Sequence, residues 1–109
     1  MSIVLGQFEQ AVLLAIVRLE DEGYGRAILN EVEARLERAV TAGSVYATLE
    51  RLEEKQLISS RLVSGTARRG GRARRYYSVG PAGLRALNEA RTAFDLLWRG
   101  LPWPLGGRS

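Results

Sequence analysis

The stretch from Thr41 to Ile58, TAGSVYATLERLEEKQLI, constrains this chain more than any other, because it fits a helix with one buried stripe and one unusually small exposed face. Thr41 is a favourable N-cap, its hydroxyl able to accept from an orphan backbone N–H of the first turn. Val45, Leu49 and Leu52 then recur at i, i+4 and i+7, so one side of the helix must be covered. The opposite side of the opening turns carries Ala42, Ser44, Ala47, Thr48 and Arg51. These are small or hydrogen-bonding groups that would let a backbone approach base edges in a major groove. An ordinary amphipathic surface helix has the same apolar stripe, so the rest of the chain must decide between the two readings.

Much of the alternative chemistry is absent. The chain has neither Cys nor His, which excludes Cys/His zinc sites, disulfides, thiol redox chemistry and His-based general catalysis. Its carboxylates are scattered along helix surfaces, so no catalytic residue, metal or cofactor is expected. At 109 residues without an internal Pro/Gly/Ser-rich linker, the chain fits one small unit with one core. The longest apolar run, Ala11 to Val17, is far short of the roughly 20 residues that span a bilayer. The N-terminus lacks the basic segment of a secretory signal, so a cytoplasmic protein with no membrane contact is expected.

Charge is concentrated. Net charge is +4, yet Arg61, Arg68, Arg69, Arg72, Arg74 and Arg75 lie in residues 61–75, which contain no acid. The other ten basic residues face twelve acidic ones, leaving the body at −2 and the stripe as a footprint for a polyanion. Fifteen of the sixteen basic residues are Arg, whose planar fork suits phosphate and guanine, although a GC-rich genome would give the same bias.

In chain order, Leu5, Phe8, Val12, Ile16 and Leu19 predict a first helix over residues 4–20. Leu13, Leu14 and Val17 lie off that stripe, so this helix should have neighbours on more than one face. Gly23 ends it, and Tyr24-Gly25 opens a second helix to about Leu36 with Ile28, Val32 and Leu36 inward. Only Glu37 to Val40 precede Thr41, the close spacing of a helix-turn-helix. After the third helix, residues 58–63 and 74–79 alternate as strands, with Tyr77 and Val79 inward and Tyr76 and Ser78 outward. Between them SGTARRGGRA forms a basic hairpin loop, either a solvated turn or a wing touching phosphates. A last helix starts at Gly80-Pro81 and runs to about Arg99. Leu84, Leu87, Arg91, Phe94, Trp98 and Leu101 mark on it a coiled-coil-like seam that wants a partner, in the same chain or in a second copy.

This order spells a mainly α fold with a small β-hairpin: a winged helix-turn-helix domain plus a C-terminal dimerisation helix. The expected units are residues 1–80, the helix at 81–101 in the same compact body, and an irregular tail at 102–109. The residues resemble those of the PadR-like transcriptional regulators. The resemblance covers roughly residues 4–99 and rests on LGQFEQAVLLAIVRL, the Tyr24-Gly25 pair, SVYATLERLEEKQLI from Ser44 and GGRARRYYSVGPAGLRAL from Gly70. It gives Tyr46 the place of the family's recognition-helix tyrosine and Gly70 to Tyr77 the place of its wing. Three positions depart from the pattern: Ala47 for a common proline, Gln56 for the glycine that usually ends the helix, and Gly80 for a capping threonine.

The resemblance implies a bacterial homodimer joined through C-terminal helices, acting on double-stranded DNA, most often as a repressor at a pseudo-palindromic operator. Ala42, Ser44, Ala47, Thr48 and Arg51 are the candidate base contacts. Tyr24, Thr41, Tyr46, Arg68, Arg69, Arg72 and Arg74 are the candidate phosphate contacts. Two rivals share the fold: a winged helix whose Arg-rich hairpin meets an acidic protein, and a sensor of small aromatic effectors, since some members of the family hold flat ligands between tryptophans at the dimer centre. Trp98 is the residue to watch for the latter.

Overall fold

Helix ends in this chain fall where the unpaired backbone groups of a helix find a partner. In the computed structural model, which describes residues 3–107, α1 runs Gln7–Leu19 and a 3-10 turn follows at Glu20–Glu22. The apolar pattern predicts a start at residue 4, but Gly6 is extended and its N–H donates to Glu9 Oε1 at 3.1 Å, so the helix opens later. α2 spans Gly25–Leu36 and α3 spans Ala42–Glu54. Thr41 caps α3 as its sequence predicts, its hydroxyl accepting from the Ser44 N–H at 3.0 Å.

α3 stops at Glu54 rather than Ile58, in a Schellman arrangement: the Leu57 N–H donates to Leu52 O and the Gln56 N–H to Glu53 O. Gln56 takes the left-handed conformation that closes this motif, at φ 63°. A residue with a Cβ holds it at a cost of roughly 1 kcal/mol, which is why glycine is usual there.

β1 (Ile58–Val63) and β2 (Arg74–Val79) pair antiparallel from Ile58↔Val79 to Val63↔Arg74. Tyr77 is buried and Ser78 exposed, as the alternation predicts. Leu62 is exposed, because the hairpin has left the body by that point. The chain entering α2 adds a third edge: Tyr24 bridges to Tyr76, and Gly23 O accepts from the Tyr77 N–H at 2.8 Å. α4 spans Pro81–Trp98 and begins on its proline.

Val12, Leu13 and Ile16 of α1 form one core with Ile28, Leu29 and Val32 of α2, Val45, Leu49 and Leu52 of α3, and Leu57, Ile58 and Tyr77 around the hairpin. α1 touches α2, α3, β2 and α4, the central strut that its two-sided pattern implies, while Leu14 and Val17 remain exposed. Lys55 Nζ and Glu9 Oε2, 3.1 Å apart, tie the end of α3 to α1. Burial pushes the Glu9 carboxyl up, but the Gly6 N–H and the Lys55 ammonium outweigh it and hold the group below the ordinary carboxylate range.

α4 joins this body at its first turns. Gly83 lies so close to Leu57 O and the Val79 side chain that an added Cβ would overlap both. Gly83→Ala is therefore expected to destabilise the fold by roughly 1 to 3 kcal/mol, toward the upper end because backbone cannot rotate aside. A lower denaturant midpoint at unchanged m-value would register it.

Further along, α4 leaves the body, and every residue from Arg91 to Leu97 is exposed. The radius of gyration is accordingly 16.5 Å with a longest extent of 59 Å, against about 13 Å for a compact domain of this length. Residues 101–107 hold neither helix nor strand, so α4 stops short of the 101 expected for its unit, while residues 1–2 of the first expected unit and 108–109 of the tail lie outside the described residues. Among the described residues no helix is long and apolar enough to cross a membrane.

Candidate nucleic-acid interface

On α3, Ala42, Ser44, Ala47 and Arg51 are exposed together with Thr41 and Tyr46. Gly43, which sequence reasoning passed over, extends the small-residue surface, and the run Ala42-Gly43-Ser44 was the signal for it. The Ser44 hydroxyl donates to Thr41 O at 2.8 Å and keeps a lone pair free to accept. Thr48 corrects the expectation: it is only 1% exposed and cannot meet a base. It stands at i+3 from Val45, inside the buried stripe rather than opposite it, and its hydroxyl accepts from Arg51 Nη2 at 3.1 Å. Thr48 thus positions the arginine instead of reading DNA.

The wing divides its arginines between structure and solvent. Arg68 and Arg72 are exposed. Arg69 is half-buried, donating from Nη2 to Ser64 O at 2.7 Å and from Nε to Arg72 O at 3.3 Å across the loop. It staples the turn with two of its five N–H donors. Arg75 Nη1 donates to Ser60 Oγ at 3.0 Å, and Ser60 Oγ donates to Glu53 Oε2 at 2.6 Å, so the hairpin is pinned to the end of α3.

On the other side of the hairpin the Arg74 guanidinium lies 3.9 Å from the centroid of the Tyr24 ring. Tyr24 meets Tyr76 edge-on at 5.7 Å, and Arg61 lies 5.3 Å over Tyr76. Sequence reasoning gave Arg61 no partner, and only the strand register, which sets it opposite Tyr76, reveals one.

Recognition helix and wing meet at a cleft of about 330 Å³ lined by Tyr24, Gly25, Arg26, Tyr46, Ala73, Arg74, Arg75 and Tyr77. The Tyr46 ring is pressed onto Gly25 so closely that a Cβ there would fall inside it. Burial raises the Tyr77 hydroxyl above its ordinary pKa, so it stays neutral at the back of the cleft. The charge lining the cleft is cationic, from Arg26, Arg74 and Arg75.

Leu84 and Phe94 are exposed along α4, and Leu101 is exposed beyond its end. Leu87 packs half-buried against its own chain's core, the same-chain partner that the seam allowed. Arg91 pairs with Asp95 of the same helix at 3.4 Å. Trp98 is half-buried between Phe94, stacked at 6.2 Å, and Trp103, edge-on at 5.8 Å. Leu96 and Leu97 are exposed too, and the heptad reading missed them although the run AFDLLW is apolar on more than one side.

Three packed helices, the last presenting a small exposed face beside a basic antiparallel hairpin, define a winged helix-turn-helix. The chain belongs to the transcriptional regulator PadR-like family, whose sequence model matches residues 13–89. It is 40% identical over 90 residues, 83% of this chain and 77% of the relative, to Transcriptional regulator Rv3488 of Mycobacterium tuberculosis. Among solved structures it resembles a PadR family transcriptional regulator of Eggerthella lenta, with 29% identity, a TM-score of 0.64 and coverage of 79% of this chain and 72% of that one. It also resembles a PadR-like transcriptional regulator of Bacillus cereus, with 26% identity, a TM-score of 0.67 and coverage of 82% of each chain. The chain is thus a PadR-like transcriptional regulator, which implies regulation through DNA.

Proposed function

We propose that this chain is a cytoplasmic repressor that binds a pseudo-palindromic operator as a homodimer, one α3 per half-site. The observation that carries the proposal is the shared cleft, where Tyr46 of α3 and Ala73 to Arg75 of the wing open to the same side. In this reading Ala42, Gly43, Ser44 and Ala47 let α3 sit deep in the major groove, and Arg51 reaches a base from further along. Thr41, Tyr46, Arg68, Arg72 and Arg74 hold the flanking phosphates. Phosphate contacts set register, and base contacts set sequence. Membership of a family of transcriptional regulators supports binding, not catalysis, as the activity.

Selection of duplexes from a random pool tests this directly, the expected product being two half-sites about one helical turn apart. Failure to enrich any sequence would overturn it. On the recovered duplex, Arg51→Ala is expected to lower affinity by roughly 1 to 3 kcal/mol and to relax one base position, with random duplex bound nearly as before. Equal losses on both would make Arg51 a phosphate contact.

The Phe94, Trp98 and Trp103 cluster favours a second, compatible reading, in which a planar aromatic effector stacks at the end of α4. Quenching of tryptophan fluorescence by planar cationic dyes, lost in Trp98→Ala, is its test.

A further inference from the structure

We infer that Tyr24 and Arg74 are positioning residues, which lock the wing at a fixed angle to the recognition helix so that both meet DNA as one rigid body. The inference rests on the DNA-binding reading above and deepens it. A two-stranded hairpin alone is marginally stable in water, and the outer part of this one finds little support, with Arg61, Leu62, Arg68 and Arg72 exposed. Its direction must therefore be set at its root.

At the root, two consecutive residues face two different elements. Tyr24 takes the wing: its backbone bridges to Tyr76, its ring meets Tyr76 edge-on, and Arg74 stacks on its face at 3.9 Å. Gly25 takes α3, because only a residue without a Cβ admits the Tyr46 ring at that spot. The Tyr24-Gly25 step is thus a rigid joint between the wing and the recognition helix, and Gly25 begins α2 itself. Among the described residues, Tyr24 meets the wing through its ring and backbone, not its hydroxyl. A guanidinium held over a ring face spends none of its N–H groups on that contact, so Arg74 can brace the wing and still reach a phosphate.

Rigid coupling matters because recognition then requires a groove spacing that fits helix and wing together, while nonspecific binding needs only charge. Loosening the joint should therefore reduce specific affinity and spare nonspecific affinity.

The test uses the full chain with Tyr24→Phe, Tyr24→Leu and Arg74→Lys, reading amide exchange of residues 64–72, the melting temperature, and affinity for selected and random duplexes. Tyr24→Phe keeps the ring and is expected to match the unmodified chain in all readouts. Tyr24→Leu is expected to speed wing exchange and to weaken selected-duplex binding by roughly tenfold each, the scale of a partly desolvated cation–π contact, with random-duplex binding little changed. Arg74→Lys keeps the charge but loses the planar stack, so it should loosen the wing with an unchanged salt slope. It also keeps the test open if Tyr24→Leu proves poorly folded. If Tyr24→Phe loses as much as Tyr24→Leu, the hydroxyl is a phosphate contact and the inference is wrong. Unchanged wing exchange in both Tyr24→Leu and Arg74→Lys would sink it as well. If the unmodified chain binds no duplex, the DNA reading fails, and wing exchange still decides whether the joint exists.

Discussion

Replacing Arg68 and Arg72 together by alanine is expected to weaken duplex binding about a thousandfold at about 0.15 M salt, for selected and random sequences alike. Both side chains are exposed at the wing, whereas Arg69 bonds Ser64 O and Arg72 O within the loop. Two contacts per wing over two wings make four, and each phosphate contact contributes about 0.9 to the slope of log K against log salt, so the slope should flatten by about 3.6. Extrapolated lines for the two proteins should meet near 1 M, where counterion release no longer drives binding, which gives about three decades of loss at about 0.15 M. Arg69→Ala is expected to act differently, loosening the loop and lowering affinity by a smaller factor. Titrations at several salt concentrations check both. A slope that stays put in the double variant would make the wing a bystander, and one that drops equally in Arg69→Ala would make that residue a phosphate contact as well as a brace.

Features governed by local rules were legible in the sequence. Thr41 caps α3, Pro81 opens α4, and Tyr77 turns inward on the strand face that period-two alternation assigns to it. The end of α3 was harder to place, because its stop signal is a Schellman motif built on Gln56 instead of glycine, and nothing in glutamine announces a left-handed residue. Thr48 was misplaced for a different reason: its hydroxyl suggested the polar face, while its position beside Val45, Leu49 and Leu52 put it in the stripe. Position outweighed polarity, since one hydrogen bond with Arg51 satisfies the group. The stack of Arg74, Tyr24 and Tyr76 brings together residues about fifty positions apart, and no local pattern encodes such a meeting, whereas Arg69 bonds carbonyls only a few positions away in an irregular loop whose path the sequence does not set.

The exposed end of α4 leads to the other large effect. Phe94 is 58% and Leu97 is 78% exposed, and both lie beyond the point where the helix leaves its own core. Phe94 and Leu97, one turn apart on the helix, expose apolar surface of the kind that marks an interaction site, and Leu96 and Leu101 are exposed nearby. With a second copy as the occupant, Phe94→Asp combined with Leu97→Asp is expected to give a folded monomer, because neither side chain belongs to the buried core of its own chain. Leu87→Asp would be a poor substitute, since Leu87 packs against that core and its loss would confuse unfolding with dissociation. Joining two half-site contacts through a dimer raises avidity by about 10² to 10⁴ over a single contact. The monomeric variant should therefore lose about that factor on a two-half-site operator while binding an isolated half-site as the unmodified chain does. Sedimentation and unfolding measurements establish its state before titration. A variant that remains dimeric and tightly bound would show that this end of α4 is covered by something other than a second copy.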